Sequence, residues 1–204
     1  GAMALSWTMD KLGPMCRGVE DCAAVLAAIF GPDGKDRSVA DVPFNWAPDL
    51  KLEDLKIGYL IEEFDAVEES EAQAVDREAL AVFESLGLKP EPVILPEYPA
   101  DALRTILHAE AAAAFDDLTR SGEVDMLSEQ DQSNWPHTFR AARMIPAVEY
   151  LRAQRVRALL MREMEELMAG WDVLLAPGTG GMSLPVTNLT GNPAVLLPCG
   201  FVDG

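Results

Sequence analysis

An α/β fold, built on a mixed sheet with a parallel βαβ unit and flanked by helices, is the class this sequence predicts. Three observations carry the expectation. An apolar strand, an amphipathic helix and a second apolar strand follow one another between residues 56 and 95. Long stretches of helical periodicity come next. An uninterrupted apolar run then closes the pattern at 172–177. A strand–helix–strand succession of this kind requires parallel pairing with a right-handed crossover.

The elements are expected in the following order. Val19, Cys22, Ala23, Leu26, Ile29 and Phe30 recur at the spacing of one helical face, and Gly31 is placed to end that helix. Glu20 and Asp21 occupy its first turn, where the helix dipole favours negative charge. Residues 32–50 are rich in Gly, Pro and Asp and read as an irregular connection. Lys56 to Ile61 is a short strand; Ala72, Val75, Ala79, Val82, Phe83 and Leu86 mark a helix closed by Gly87; residues 92–95 are the second strand. Helices are expected over 100–120, 134–144 and 146–169, the last bounded by Pro146 and Gly170. The run 172–177 reads as a strand buried on both faces, and 194–198 repeats it after a glycine-rich loop. The alanine-heavy stretch 108–115 needs only helix propensity to explain it.

Composition excludes several function classes. The 204 residues carry 16 basic and 34 acidic side chains, a formal charge of −18, which repels polyanions, so neither nucleic acid nor an anionic membrane is an expected partner. No stretch approaches the ~20 uncharged apolar residues of a membrane span. Cys16, Cys22 and Cys199 show no CxxC or metal-type spacing, and an odd number of cysteines points to free buried thiols in a reducing compartment, hence a cytoplasmic location.

Several candidates for chemistry have a plainer alternative. GTGGMS at 178–183 follows a strand and offers Ser183 as a nucleophile or a cradle for an anion, but it lacks the spacing and lysine of a P-loop, and both histidines lie far off in sequence. A plain loop suffices. His108 and His137 have no paired-ligand spacing, so no metal site and no cofactor is expected. Trp135, Pro136 and Phe139 are expected to pack a helix start. Arg140, Arg143, Arg152, Arg155, Arg157 and Arg162 cluster in two helical segments; one of them can clamp a substrate carboxylate, or the group can form a solvated face with pairs such as Arg162 and Glu166. The acidic run 62–71 reads as a solvated loop and helix start.

Taken together, SWTMDKLGPMCRGVEDC at 6–22, IPAVEYL at 145–151, DVLLAP at 172–177 and TNLTGNPAVLLPCGF at 187–201 resemble the amidase signature family. The resemblance spans nearly the whole chain and implies a partial amidase signature fold over residues 1–204, cut short at both ends. In that family a serine is activated by a second serine and a lysine, and backbone amides stabilise the oxyanion. Those motifs lie upstream of the segment that Met9 to Pro14 matches. No catalytic residue transfers to this chain, Lys11 and Ser6 included.

What the resemblance implies is support: Trp7 and Asp10, with Pro177 at the end of 172–177 and Thr179 in the loop after it, come close to the cleft that holds a small-molecule amide. The expected activity of the parent protein is hydrolysis of a carboxylic amide to acid and ammonia or amine, with this chain inactive alone. Two other readings are a non-catalytic binding module and a part of the A-type subunit of a glutamine-dependent amidotransferase. Such amidotransferases carry an acid shortly before the Asn-Leu-x-Gly motif to hold the substrate amino group, and the run 181–186 has none. An uncovered sheet edge and apolar face are also expected to favour homo-oligomers.

Overall fold

The computed structural model describes residues 3–35, 39–47, 49–65, 71–178 and 181–201. The chain divides into two compact units, residues 11–54 and a larger unit comprising 1–10 with 55–204.

The smaller unit contributes one α-helix, α1 (Val19–Ile29), and a 3-10 turn at Leu52–Asp54. In it Phe30 meets Phe44 with ring centroids 5.9 Å apart, and Ala23 is buried. In the larger unit, β1 (Ile57–Leu60) leads through α2 (Ile61–Asp65) and α3 (Glu71–Ser85) to β2 (Glu91–Val93). The helices α4 (Ala100–Ala114), α5 (Asp116–Ser121), α6 (Trp135–Ala142) and α7 (Ala147–Met168) follow, then β3 (Val173–Leu175) and α8 (Ser183–Thr190).

The three strands form one parallel sheet in the order β2-β1-β3, with Gly58 opposite Glu91 on one side and Leu174 on the other. β1 is the central strand, and Ile57 and Leu60 are buried there. Gly58 is required by close approach: a Cβ at that position would lie 2.5 Å from a Val93 methyl and 2.7 Å from a Leu174 methyl. Pro92 falls on β2, an edge strand, where a residue without an N–H costs no ladder bond.

Several expectations need correction. The 172–177 run forms a strand that is not buried on both faces: β3 is an edge strand and Val173 is exposed. A continuous apolar run does not by itself distinguish the middle of a sheet from its edge. The 194–198 run forms no strand. Gly200 just beyond it lies against the methyls of Val75 on α3, and no ladder bonds join the segment to a strand. Without a ladder the apolar side chains stay in solvent; Leu196 is 82% and Phe201 92% exposed. The glycine-rich loop is in turn shorter than expected, because Ser183–Thr190 is helical.

The expected helix over 100–120 breaks at Phe115, whose ring stacks on Phe139 of α6 at 4.7 Å; Asp116 and Asp117 then open α5. Trp135 also stacks on Phe139, and His108 meets the Trp135 ring edge-on. Two cores result. Leu103 and Ile106 of α4, Leu160 and Met164 of α7, and Val186 and Leu189 of α8 pack with Met9 in the first. Ala111, Val124 and Phe139 form the second. The thiols are not all buried, since Cys16 and Cys199 are exposed and Cys22 is half-buried. No helix among the described residues is long and apolar enough to cross a membrane.

Candidate functional site

The turn at residues 5–10 of the larger unit is held by a network of polar contacts. Asp10 closes it: one carboxylate oxygen accepts the N–H of Leu5 at 2.7 Å and of Ser6 at 3.2 Å. The Asp10 N–H returns to the Ser6 carbonyl at 3.0 Å. Ser6 and Met9 consequently point inward and are buried, while Trp7 points out and is 82% exposed.

Two side chains fasten this turn to the helices. Glu110 on α4 accepts the Ser6 hydroxyl at 2.7 Å, the Thr8 N–H at 3.0 Å and the Thr8 hydroxyl at 2.8 Å. Its remaining donor is the Tyr150 hydroxyl on α7 at 3.0 Å, which itself accepts from Gln154 at 2.9 Å. Burial acts to raise the Glu110 carboxyl, yet these four donors together outweigh it and hold the group below its ordinary value. Burial and the nearby carboxylate raise the Tyr150 phenol, while Gln154 opposes them.

Arg157, further along α7, is the second fastener. Its guanidinium donates to the Thr8 hydroxyl, to the Thr8 carbonyl at 2.7 Å and to the Leu189 carbonyl near the end of α8. It is only 8% exposed, and burial lowers its pKa against the attraction of Glu110 and Tyr150. This corrects the reading of the arginines as one solvated face: Arg140 and Arg143 do pair with Asp125 and Asp116 at the surface, but Arg157 is an internal clamp for backbone, not for a substrate carboxylate.

A second polar contact lies at the start of α8. Glu63 on α2 accepts both the N–H and the hydroxyl of Ser183, the latter at 2.7 Å. Glu63 is 9% exposed, so the reading of 62–71 as a wholly solvated stretch is corrected over its described part. An acid supplied from another helix satisfies one of the free N–H groups of the helix start and meets the positive end of its dipole. Gly181 makes this possible: its φ is +94°, and a Cβ there would fall 2.5 Å from the Glu63 carboxyl carbon.

Neither contact builds a nucleophile. The hydroxyls of Ser6, Ser133 and Ser183 each donate to a carboxylate, and a carboxylate is too weak a base to ionise a serine at neutral pH. Burial and Arg104 lower the pKa of His108, whose ring rests on Trp135. No cluster of metal-ligating side chains occurs among the described residues. An open depression of about 590 Å3 lies along α7, lined by Ile94, Pro96, Arg162, Glu163, Glu166 and Leu167. It contains none of the expected site residues.

The amidase family model matches residues 1–199. The chain belongs to the amidase family. Among curated amidase relatives it is 30% identical to the A subunit of glutamyl-tRNA(Gln) amidotransferase from Moorella thermoacetica, over 100% of this chain and 50% of that protein. The protein of the same description from Geobacillus kaustophilus is 32% identical over 100% of this chain and 51% of its own length. The chain thus spans about half the length of the curated relatives it matches. Among solved amidases, the fold superposes on a peptide amidase in complex with chymostatin with a TM-score of 0.75, covering 100% of this chain and 50% of the other at 23% identity. The fold class expected from the sequence is therefore that of the amidase signature enzymes.

Within this amidase fold three of the four expected site residues are among the described ones, and they fall in two places. Trp7 and Asp10 share the fastened turn. Pro177 is buried just beyond β3, and Thr179 lies outside the described residues. Of the polar residues that organise the turn, Glu110, Tyr150 and Gln154 are absent from the sequence-based candidates, and Arg157 enters there only as one of six clustered arginines. A signal existed: Tyr150, Gln154 and Arg157 are spaced i, i+4, i+7 on one face of α7, and Glu110 is the only acid in an alanine run.

Proposed function

We propose that this chain provides the supporting half of an amide-cleaving enzyme, which hydrolyses a carboxylic amide to acid and ammonia or amine, and that it has no turnover alone. The observation that carries the reading is the family match over residues 1–199 combined with serines whose hydroxyls end on carboxylates. Hydrolysis by the family's serine mechanism needs a neutral lysine base and an oxyanion site, whereas the Ser6 and Ser183 hydroxyls are directed at the carboxylates of Glu110 and Glu63.

In this reading Trp7, Asp10, Pro177 and Thr179 are the residues proposed to border the amide cleft. Trp7 is the one best suited to touch a ligand, because its ring projects from a turn that Glu110 and Arg157 hold still. Asp10 contributes shape, since its carboxylate is engaged by the backbone of its own turn. Ammonia release from simple carboxylic amides by the purified chain tests the proposal. No release is expected, and release that disappears in Ser183→Ala would overturn it.

A second reading, ammonia delivery within a glutamine-dependent amidotransferase, is favoured by the description shared by the curated relatives. Glu63 does not replace the acid missing from 181–186, because both its oxygens are engaged by Ser183. Co-purification of a full-length version with a partner protein, and glutamine-dependent ammonia transfer by that complex, distinguish this reading from simple hydrolysis.

A further inference from the structure

We propose that Cys16 and Cys22 form a dithiol site in the 11–54 unit, one that a low-molecular-weight disulfide oxidises reversibly to an intramolecular cystine. Cys22 lies in the first turn of α1, with its N–H on the Gly18 carbonyl at 3.2 Å. Its thiol points back out of the helix toward the preceding segment, 3.8 Å from the Pro14 carbonyl. Cys16 is two residues beyond Pro14 and exposed, and local desolvation together with the neighbouring Cys22 thiol raises its pKa. The bend at Arg17 and Gly18 is what lets the chain double back within so few residues.

This arrangement divides two tasks between the thiols. Exposure makes Cys16 the one an outside reagent reaches first, and half-burial makes Cys22 the one that resolves the adduct. The Cys16 thiolate attacks one sulfur of the reagent disulfide; that S–S bond breaks and one reagent thiol leaves. The Cys22 thiolate then attacks the Cys16 sulfur of the mixed disulfide, forming the Cys16–Cys22 bond and expelling the second reagent thiol. Two protein S–H groups are oxidised to one S–S, the reagent disulfide is reduced to two thiols, and the two protein protons pass to the departing thiolates. Cys199, in the other unit, takes no part.

The test uses the full chain carrying Cys199→Ser, reduced and then treated with oxidised glutathione. Trypsin cleaves after Arg17, so only a cystine can hold the Cys16 and Cys22 peptides together. The expected result is a mass loss of about 2 Da with the two peptides linked, reversed by dithiothreitol. Cys22→Ser should stop at a stable glutathione adduct on Cys16. Because a short spacing alone allows some closure, the rate is also compared in urea, where cross-linking should slow by about tenfold or more once the fold no longer holds the thiols together. A chain that keeps one or two glutathione adducts without a cross-link, or one that cross-links as fast in urea as in buffer, would overturn the proposal.

Discussion

Arg157 grips Thr8 twice, by its hydroxyl and by its carbonyl, across most of the length of the chain. A planar guanidinium can do this while also bonding the Leu189 carbonyl; an ammonium cannot reach three acceptors in that fork geometry. Arg157→Lys is therefore expected to lower unfolding stability by about 1–3 kcal/mol, and Arg157→Met by at least as much, because Glu110 then loses its neighbouring positive charge. Urea titration of the two variants checks the order.

Glu110 gives the acid limb of stability. Its folded pKa lies below the ordinary carboxyl value, so its contribution is present above that value and is lost as pH falls through the depressed folded one. The urea midpoint should drop on acidification below about pH 4. Asp116 and Asp131 are depressed as well, so the informative quantity is the difference from Glu110→Gln. That variant should be less stable near neutrality by about 1–3 kcal/mol and lose less on acidification.

The start of α8 depends on an approach only glycine permits. Gly181→Ala places a methyl against the Glu63 carboxyl at a backbone angle that L-residues resist, and should cost about 1–3 kcal/mol. Glu63→Gln keeps the shape and loses the charge, so it should cost about 1 kcal/mol. If both variants unfold at the wild-type midpoint, the Glu63–Ser183 contact is not holding that helix.

The exposed run Val195, Leu196, Leu197 and Phe201 should drive association. Light scattering is expected to show a mass that rises with protein concentration, and Leu196→Lys should reduce it. A monodisperse monomer at every concentration would remove the homo-oligomer from consideration.

Much of the fold was legible because its signals are local. The β1–α3–β2 succession and the long α7 follow from periodicity and from Pro146 and Gly170, which need no tertiary partner. What failed depended on neighbours. Apolar patterning such as that of Val195 to Leu197 describes a potential strand, but a ladder partner decides whether one forms. Ser183–Thr190 contains Pro185 in its first turn, a position a helix tolerates, and its start is completed by Glu63 from 120 positions away. Trp7 and Asp10 were singled out only through resemblance to a family motif, which does not foretell the turn they share, and the roles of Glu110 and Arg157 became visible only when the chain had brought Ser6 and Thr8 against them.

The central place of β1 has a consequence for synthesis. One side of it can be satisfied soon after residue 93 leaves the ribosome, but the other waits for β3, and Lys56 must hold its N–H for Asp172, which lies 116 positions downstream. A nascent chain therefore carries a half-zipped ribbon while α4 through α7 are translated, which favours slow maturation and makes early chaperone engagement useful.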